Sequence, residues 1–95
     1  MAFTRSLEMT LTRADFLRLL PGAVAQEPLQ IADDTFQGGE GGRTWSLRLV
    51  PLEDRRLGSV SLPRHRVELH LEGHTPAEAE AFLSRFLRGF QRGGG

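Results

Sequence analysis

The sequence predicts an α+β fold: a two-layer sandwich in which a mostly antiparallel sheet of four to five strands carries two helices on one face, in the order β-α-β-β-β-β-α. Two patterns lead to it. Apolar residues recur at every second position through residues 3–11, 44–50 and 66–72, which is the period of a strand with one dry and one wet face. They recur at every third or fourth position through residues 16–24 and 79–90, the period of a helix that buries one side. A sheet wet on one face needs cover on the other, and two amphipathic helices supply it.

The first strand spans residues 3–11, with Phe3, Leu7, Met9 and Leu11 on one face and Thr4, Ser6, Glu8 and Thr10 on the other. Arg5 breaks the alternation. Thr12 caps a helix, and Asp15 falls three residues on, where the first-turn amides are free. Phe16, Leu17, Leu20 and Val24 form its stripe, and Pro21-Gly22 predicts an end near Leu20. Residues 22–28 connect to a second strand, which begins at Leu29 and Ile31, is interrupted by Asp33-Asp34 and resumes at Thr35-Phe36. The glycine-rich residues 38–42 form a hairpin tip before the strand of Trp45, Leu47 and Leu49. Residues 51–56 read as a turn or bend, residues 57–62 as a short strand, and Pro63-Arg64-His65 as another turn. Val67, Leu69 and Leu71 then alternate with Arg66, Glu68, His70 and Glu72. Thr75-Pro76-Ala77-Glu78 is a capping box with proline at the first helical position. It opens a helix whose stripe is Ala79, Phe82, Leu83, Phe86, Leu87 and Phe90. Residues 1–92 are expected to form one domain, and residues 93–95 a flexible glycine tail.

Composition narrows the chemistry. Hydrophobic residues make up 39% and charged residues 25%, the balance of a chain that buries a core. No apolar run approaches the ~20 residues of a membrane helix, and the first residues carry no secretory core. Cysteine is absent, which removes thiol catalysis, disulfide staples and cysteine-based zinc sites and predicts a cytoplasmic location. All 12 basic residues are arginines, so no lysine serves a Schiff base or a phosphate loop. A net charge of zero lacks the basic excess of nucleic-acid binders, so neither nucleic acid nor membrane is an expected partner.

Several constellations bear on chemistry. His70, Glu72 and His74 alternate, and on an extended strand they present two imidazoles and a carboxylate to one side, a set suited to zinc or another divalent ion. Gly73 is placed to bend the chain and swing His74 away. Arg55-Arg56 and Arg64-His65-Arg66 form two basic clusters, which a strand over residues 57–62 would hold about 20 Å apart. Asp33-Asp34 is a carboxylate pair, yet neighbours on a strand face opposite ways, which favours a bulge or turn. Residues 38–42 lack the lysine and Ser/Thr of a phosphate loop. The terminal Gly94-Gly95 resembles the tail of ubiquitin-like proteins and sulfur carriers. That resemblance covers the tail alone and implies activation at the C-terminal carboxylate. The family places a strand before its tail, whereas the residues here read as helix.

These observations predict a small non-enzymatic accessory or protein-interaction module that needs no cofactor and binds a protein partner or itself. The alternatives are a metal- or ligand-binding protein using His70, Glu72 and His74, and a carrier acting through Gly94-Gly95.

Overall fold

The computed structural model describes residues 2–93. Its elements are β1 (Ala2–Met9), α1 (Arg13–Val24), β2 (Leu29–Ala32), β3 (Thr35–Glu40), β4 (Arg43–Leu57), β5 (Val60–Glu72) and α2 (Pro76–Gly93). All five strands join one antiparallel sheet in the order β1-β5-β4-β3-β2. The expected class and the order β-α-β-β-β-β-α hold. Among the described residues no helix is long and apolar enough to cross a membrane.

The strands that fill this order differ from those expected. Asp33-Asp34 is a tight turn, so residues 29–36 supply parts of two strands rather than one. Residues 57–62 are not a separate strand. Leu57 pairs with Val60 across the two-residue loop Gly58-Ser59, where Gly58 adopts φ 63°. Residues 51–56 continue β4, and Pro63-Arg64-His65 lie inside β5. The prolines mislead for a specific reason. Proline interrupts a strand by withholding an amide from its neighbour, but Pro51 lies beyond Arg48, the last β4 residue paired with β3. Pro63 likewise lies beyond His65, the last β5 residue paired with β1. Each sits where its strand has already lost one neighbour. A bulge between Leu52 and Arg55 sets Glu53 and Asp54 against Pro63. Residues 52–64 thus form a two-stranded ribbon that overhangs the sheet, in a molecule 47 × 26 × 20 Å in extent.

The dry face is built row by row. Phe3, Leu71, Trp45 and Gly38 lie side by side across four strands. Leu69, Leu47 and Phe36 make the next inward row, and Leu7, Val67 and Leu49 the one after. The members on β4 and β5 are buried, whereas Phe3 and Leu7 on the edge strand are half-buried. Arg5 shares the row of Leu69. Its guanidinium lies 5.0 Å from the Phe3 ring centroid and 3.8 Å from the Glu80 carboxylate on α2, so the stem follows the apolar boundary while the charge stays wet.

Both helices cover that face. Thr12 caps α1 by accepting from the Asp15 amide at 3.1 Å. The helix runs past Pro21 to Val24, four residues beyond the expected end. Proline costs it one backbone bond, but burial of Ala23 and Val24 favours continuing, and Ala25 closes the helix in the left-handed region at φ 57°. The capping box of α2 forms reciprocally: the Glu78 amide donates to Thr75 Oγ1 at 3.2 Å, and the Thr75 amide to Glu78 Oε1 at 2.9 Å. Between the helices Phe16 stacks on Phe90 at 4.9 Å, and within α2 Phe86 meets Phe90 edge-on at 5.0 Å.

Gly89 sets how closely the helices approach. A Cβ there would lie 2.6 Å from Ala23 Cα and 2.7 Å from its Cβ, closer than real side chains pack. Alanine gains up to about 1 kcal/mol of helix propensity over glycine, but overpacking costs about 1–3 kcal/mol, and here the partner is backbone that cannot turn aside. Gly89→Ala therefore costs a net ~1 kcal/mol and lowers the melting temperature by about 4–8 °C; an unchanged or raised value contradicts the close crossing.

Glu78 carries the acid sensitivity of α2. The hydrogen bond from the Thr75 amide holds its carboxyl below the ordinary value of 4.5; burial opposes this, and the charge of Arg43 adds a further lowering. The unfolded chain takes up the proton first, so this contribution is complete above 4.5 and is lost as pH falls through the depressed folded value. Glu78→Gln is expected to flatten the fall in melting temperature on acidification below that point, with little change in the slope near neutrality.

Candidate functional site

The stretch 70–74 separates the three residues proposed as metal ligands. His70 lies opposite Ser46 and Thr4, on the wet face. Its Nε2 is 2.9 Å from Glu72 Oε1, so these two side chains do meet. The imidazole contact, first by hydrogen bonding and then by charge, holds the Glu72 carboxyl below its ordinary range. Gly73 then turns the chain at φ 76°, a conformation that side chains resist. A Cβ at Gly73 would also run into the Gly42 carbonyl. Past this turn, His74 Nδ1 lies 3.0 Å from the Glu72 carbonyl oxygen, and its ring packs edge-on against Phe82 of α2 at 5.9 Å. His70 and Glu72 line a groove on the wet side, and His74 lines another beside the helices. Among the described residues no three His, Asp or Glu side chains converge on a metal position.

The remaining motifs resolve into structural roles. Asp34 accepts from the Thr35 hydroxyl at 2.9 Å and from Arg48 Nε at 3.2 Å, which lock the β2–β3 turn and hold its carboxyl below the ordinary value. Its carbonyl also accepts from the Leu49 amide at 2.7 Å. Gly41 and Gly42, both at positive φ, form the tip between β3 and β4, and Arg43 beyond them pairs with Glu78 of the capping box. The basic clusters are not at opposite ends of a strand. Arg55 and Arg56 face Leu62 and Ser61 across the ribbon, next to Arg64. Arg64 donates to the Glu53 carbonyl at 2.9 Å and lies 3.6 Å from Glu8, and Arg66 lies 3.3 Å from Glu68. Gly94-Gly95 fall outside the described residues; helix α2 leads up to them.

The two larger grooves beside the helices differ in lining. One, of about 390 Å³, lies between Gln26, Gly39, Arg43, Trp45, His74 and Phe82. Its organising contact is Trp45 Nε1 donating to Gln26 Oε1 at 2.9 Å. The other, of about 430 Å³, mixes the apolar Met9, Leu11, Leu19, Leu87 and Phe90 with the polar Thr10, Asp15 and Gln91. The three carboxylates with displaced acidities, Asp34, Glu72 and Glu78, all shift downward, which keeps them charged at neutral pH. A general acid needs the opposite shift, toward the working pH.

Exposed apolar side chains mark a different surface. Leu29, Ile31, Leu57 and Val60 are 59%, 53%, 53% and 53% exposed. The first two lie on the edge strand β2, where Ile31 is the extra residue of a bulge between Gln30 and Ala32. The other two lie at the ribbon tip. The ribbon escapes a sequence reading that treats both prolines as breaks. The signal for it is Gly58-Ser59 between Leu57 and Val60, a two-residue hairpin loop with glycine first. The chain matches no protein family, and no curated protein or solved structure is significantly similar to it.

The Trp45 contact is directly readable, because this is the one tryptophan of the chain. A Cβ on Gly38 would lie 2.8 Å from the indole. Gly38→Ala is expected to displace the ring from Gln26 and shift its emission to longer wavelength in the folded protein. Gln26→Ala, which leaves the ring seated, is expected to shift it less. Equal spectra for wild type and Gly38→Ala would show that the indole does not rest on Gly38.

Proposed function

We propose that this chain is a small non-enzymatic accessory module that works by binding another protein along the open edge of β2. The observation that carries this reading is the exposure of Leu29 and Ile31 on an uncharged edge strand, Leu29-Gln30-Ile31-Ala32. An edge strand offers unpaired amides and carbonyls to any extended segment, and folds commonly blunt such edges with charge. The opposite edge follows that rule, since β1 carries Arg5 and Glu8. The β2 edge carries no charge. A partner segment laid against it would take main-chain hydrogen bonds, and its aliphatic side chains would cover Leu29 and Ile31.

The test is affinity recovery of partners by the full chain and by Leu29→Asp/Ile31→Asp. Both positions are exposed, so each change is expected to alter stability by no more than about 0.5 kcal/mol. Partners held by the wild type should be lost from the variant while its melting temperature stays close to the wild-type value. Undiminished recovery by the variant, or no partner for the wild type, counts against the reading.

A further inference from the structure

We propose that the overhanging ribbon is a self-association surface, in which residues 52–57 of β4 pair antiparallel with the same six residues of a second copy. The inference rests on the reading of the chain as an interaction module but uses a separate edge. Beyond Arg48 this part of β4 has no neighbour on the side away from β5. The ribbon stands outside the sheet, and a lone two-stranded ribbon is marginally stable in water. Leu57 and Val60 at its tip are more than half exposed.

What identifies the occupant is the order of charges. The segment reads Leu52-Glu53-Asp54-Arg55-Arg56-Leu57. Set antiparallel to itself about a twofold axis between Asp54 and Arg55, it matches at every step. Leu52 meets Leu57 of the second copy, Glu53 meets Arg56, and Asp54 meets Arg55, each pair occurring twice by symmetry. Among the described residues Glu53, Arg55 and Arg56 have no ion-pair partner within the chain. Arg64, Arg66 and Arg48 nearby all do.

The bulge makes the Leu52–Leu57 and Glu53–Arg56 matches geometrically possible. Residues opposite one another in an antiparallel pair share a face of the sheet. Leu52 and Leu57 are five apart, and in a regular strand they would face opposite ways. The extra residue between Leu52 and Arg55 corrects this. Leu52, Arg55 and Leu57 stand opposite Arg64, Leu62 and Val60, alternate residues of an unbroken strand and therefore one face. Arg56 stands opposite Ser61 on the other face, where Asp54 accepts from the Ser61 hydroxyl at 2.9 Å. Leu52 and Leu57 can thus meet on one face and Glu53 and Arg56 on the other, while Asp54 and Arg55, which face opposite ways, attract across the axis by charge without sharing a face. The segment is about 20 Å long, a small interface, so the dimer is reversible and weakens with salt.

Sedimentation velocity on the full chain, from about 1 to 500 µM, tests this with charge-swapped variants. The wild type should shift toward twice the mass of one chain as concentration rises. Glu53→Arg/Asp54→Arg makes the segment wholly basic, and Arg55→Glu/Arg56→Glu makes it wholly acidic; each alone should dissociate at least about tenfold more readily. Mixed in equal amounts, the two should form a dimer tighter than either alone. The fourfold variant, which exchanges the signs but keeps the palindrome, should recover wild-type association and thereby shows that the swaps do not act by unfolding the ribbon. A wild type that stays monomeric throughout overturns the proposal, as do half-swapped variants that dimerise undiminished or fail to associate when mixed. None of these results touches partner recovery through Leu29 and Ile31, so the two readings fail separately.

Discussion

The fold depends on one constraint: the alternate side chains of two adjacent central strands must be kept from water. Trp45, Leu47 and Leu49 of β4 stand beside Leu71, Leu69 and Val67 of β5, and all six are buried. No other strand pair contributes so much apolar surface, and burial at about 25 cal/mol per Å² is the main favourable term available to a chain of this length. The helices answer that need. Phe16, Phe86 and Phe90 close over the sheet through one stacked and one edge-on contact, and the contact between Gly89 and Ala23 lets the two helices share one face. β1 and β3 then extend the dry face outward, where burial becomes partial and residues such as Arg5 reach the boundary.

Where burial and hydrogen bonding pointed the same way, the sequence was readable. The stripe from Ala79 to Phe90 and the Thr75 capping box specify α2 twice over, once by packing and once by its orphan amides. Residues 66–72 were equally plain, because their wet face is fully polar. Legibility failed where local and tertiary preferences diverged. Pro21 is a helix breaker by local rule, yet α1 passes through it to bury Ala23 and Val24. Pro51 and Pro63 are strand breakers by the same kind of rule, yet each sits where the ladder is one-sided. Sequence alone does not say which strand lies beside which, so it could not say that those amides were free to be absent. The order of elements came out right while two boundaries moved in compensating directions, one strand dividing at Asp33-Asp34 and two merging around Pro63.

The candidate site shows the same divide. The alternation of His70, Glu72 and His74 was legible as a shared side, and for His70 and Glu72 it holds. It ends at Gly73, whose positive φ sends His74 toward Phe82. The glycine was visible, but its sign of φ depends on the Gly42 backbone packed against it, a contact between segments 31 residues apart in sequence. The interaction surfaces were less legible still. Leu29 and Ile31 look like core residues by composition, yet Leu29 lies in the wet-face row of Gln37, Ser46 and His70, and Ile31 is the extra residue of the bulge on the last strand of the sheet.

The ribbon also decides how the molecule would respond to force. A pull at Gly58-Ser59 draws both arms the same way, so the β4–β5 rungs between them stay unloaded and the force passes to the flanking strands, first where β1 pairs with His65 and β3 with Arg48. Those pairs take the load in shear, and any further movement must drag the buried Leu49 and Val67 from beneath the helices. The protein is therefore mechanically two-part: a ribbon that transmits a load applied at its tip, and a body that bears it.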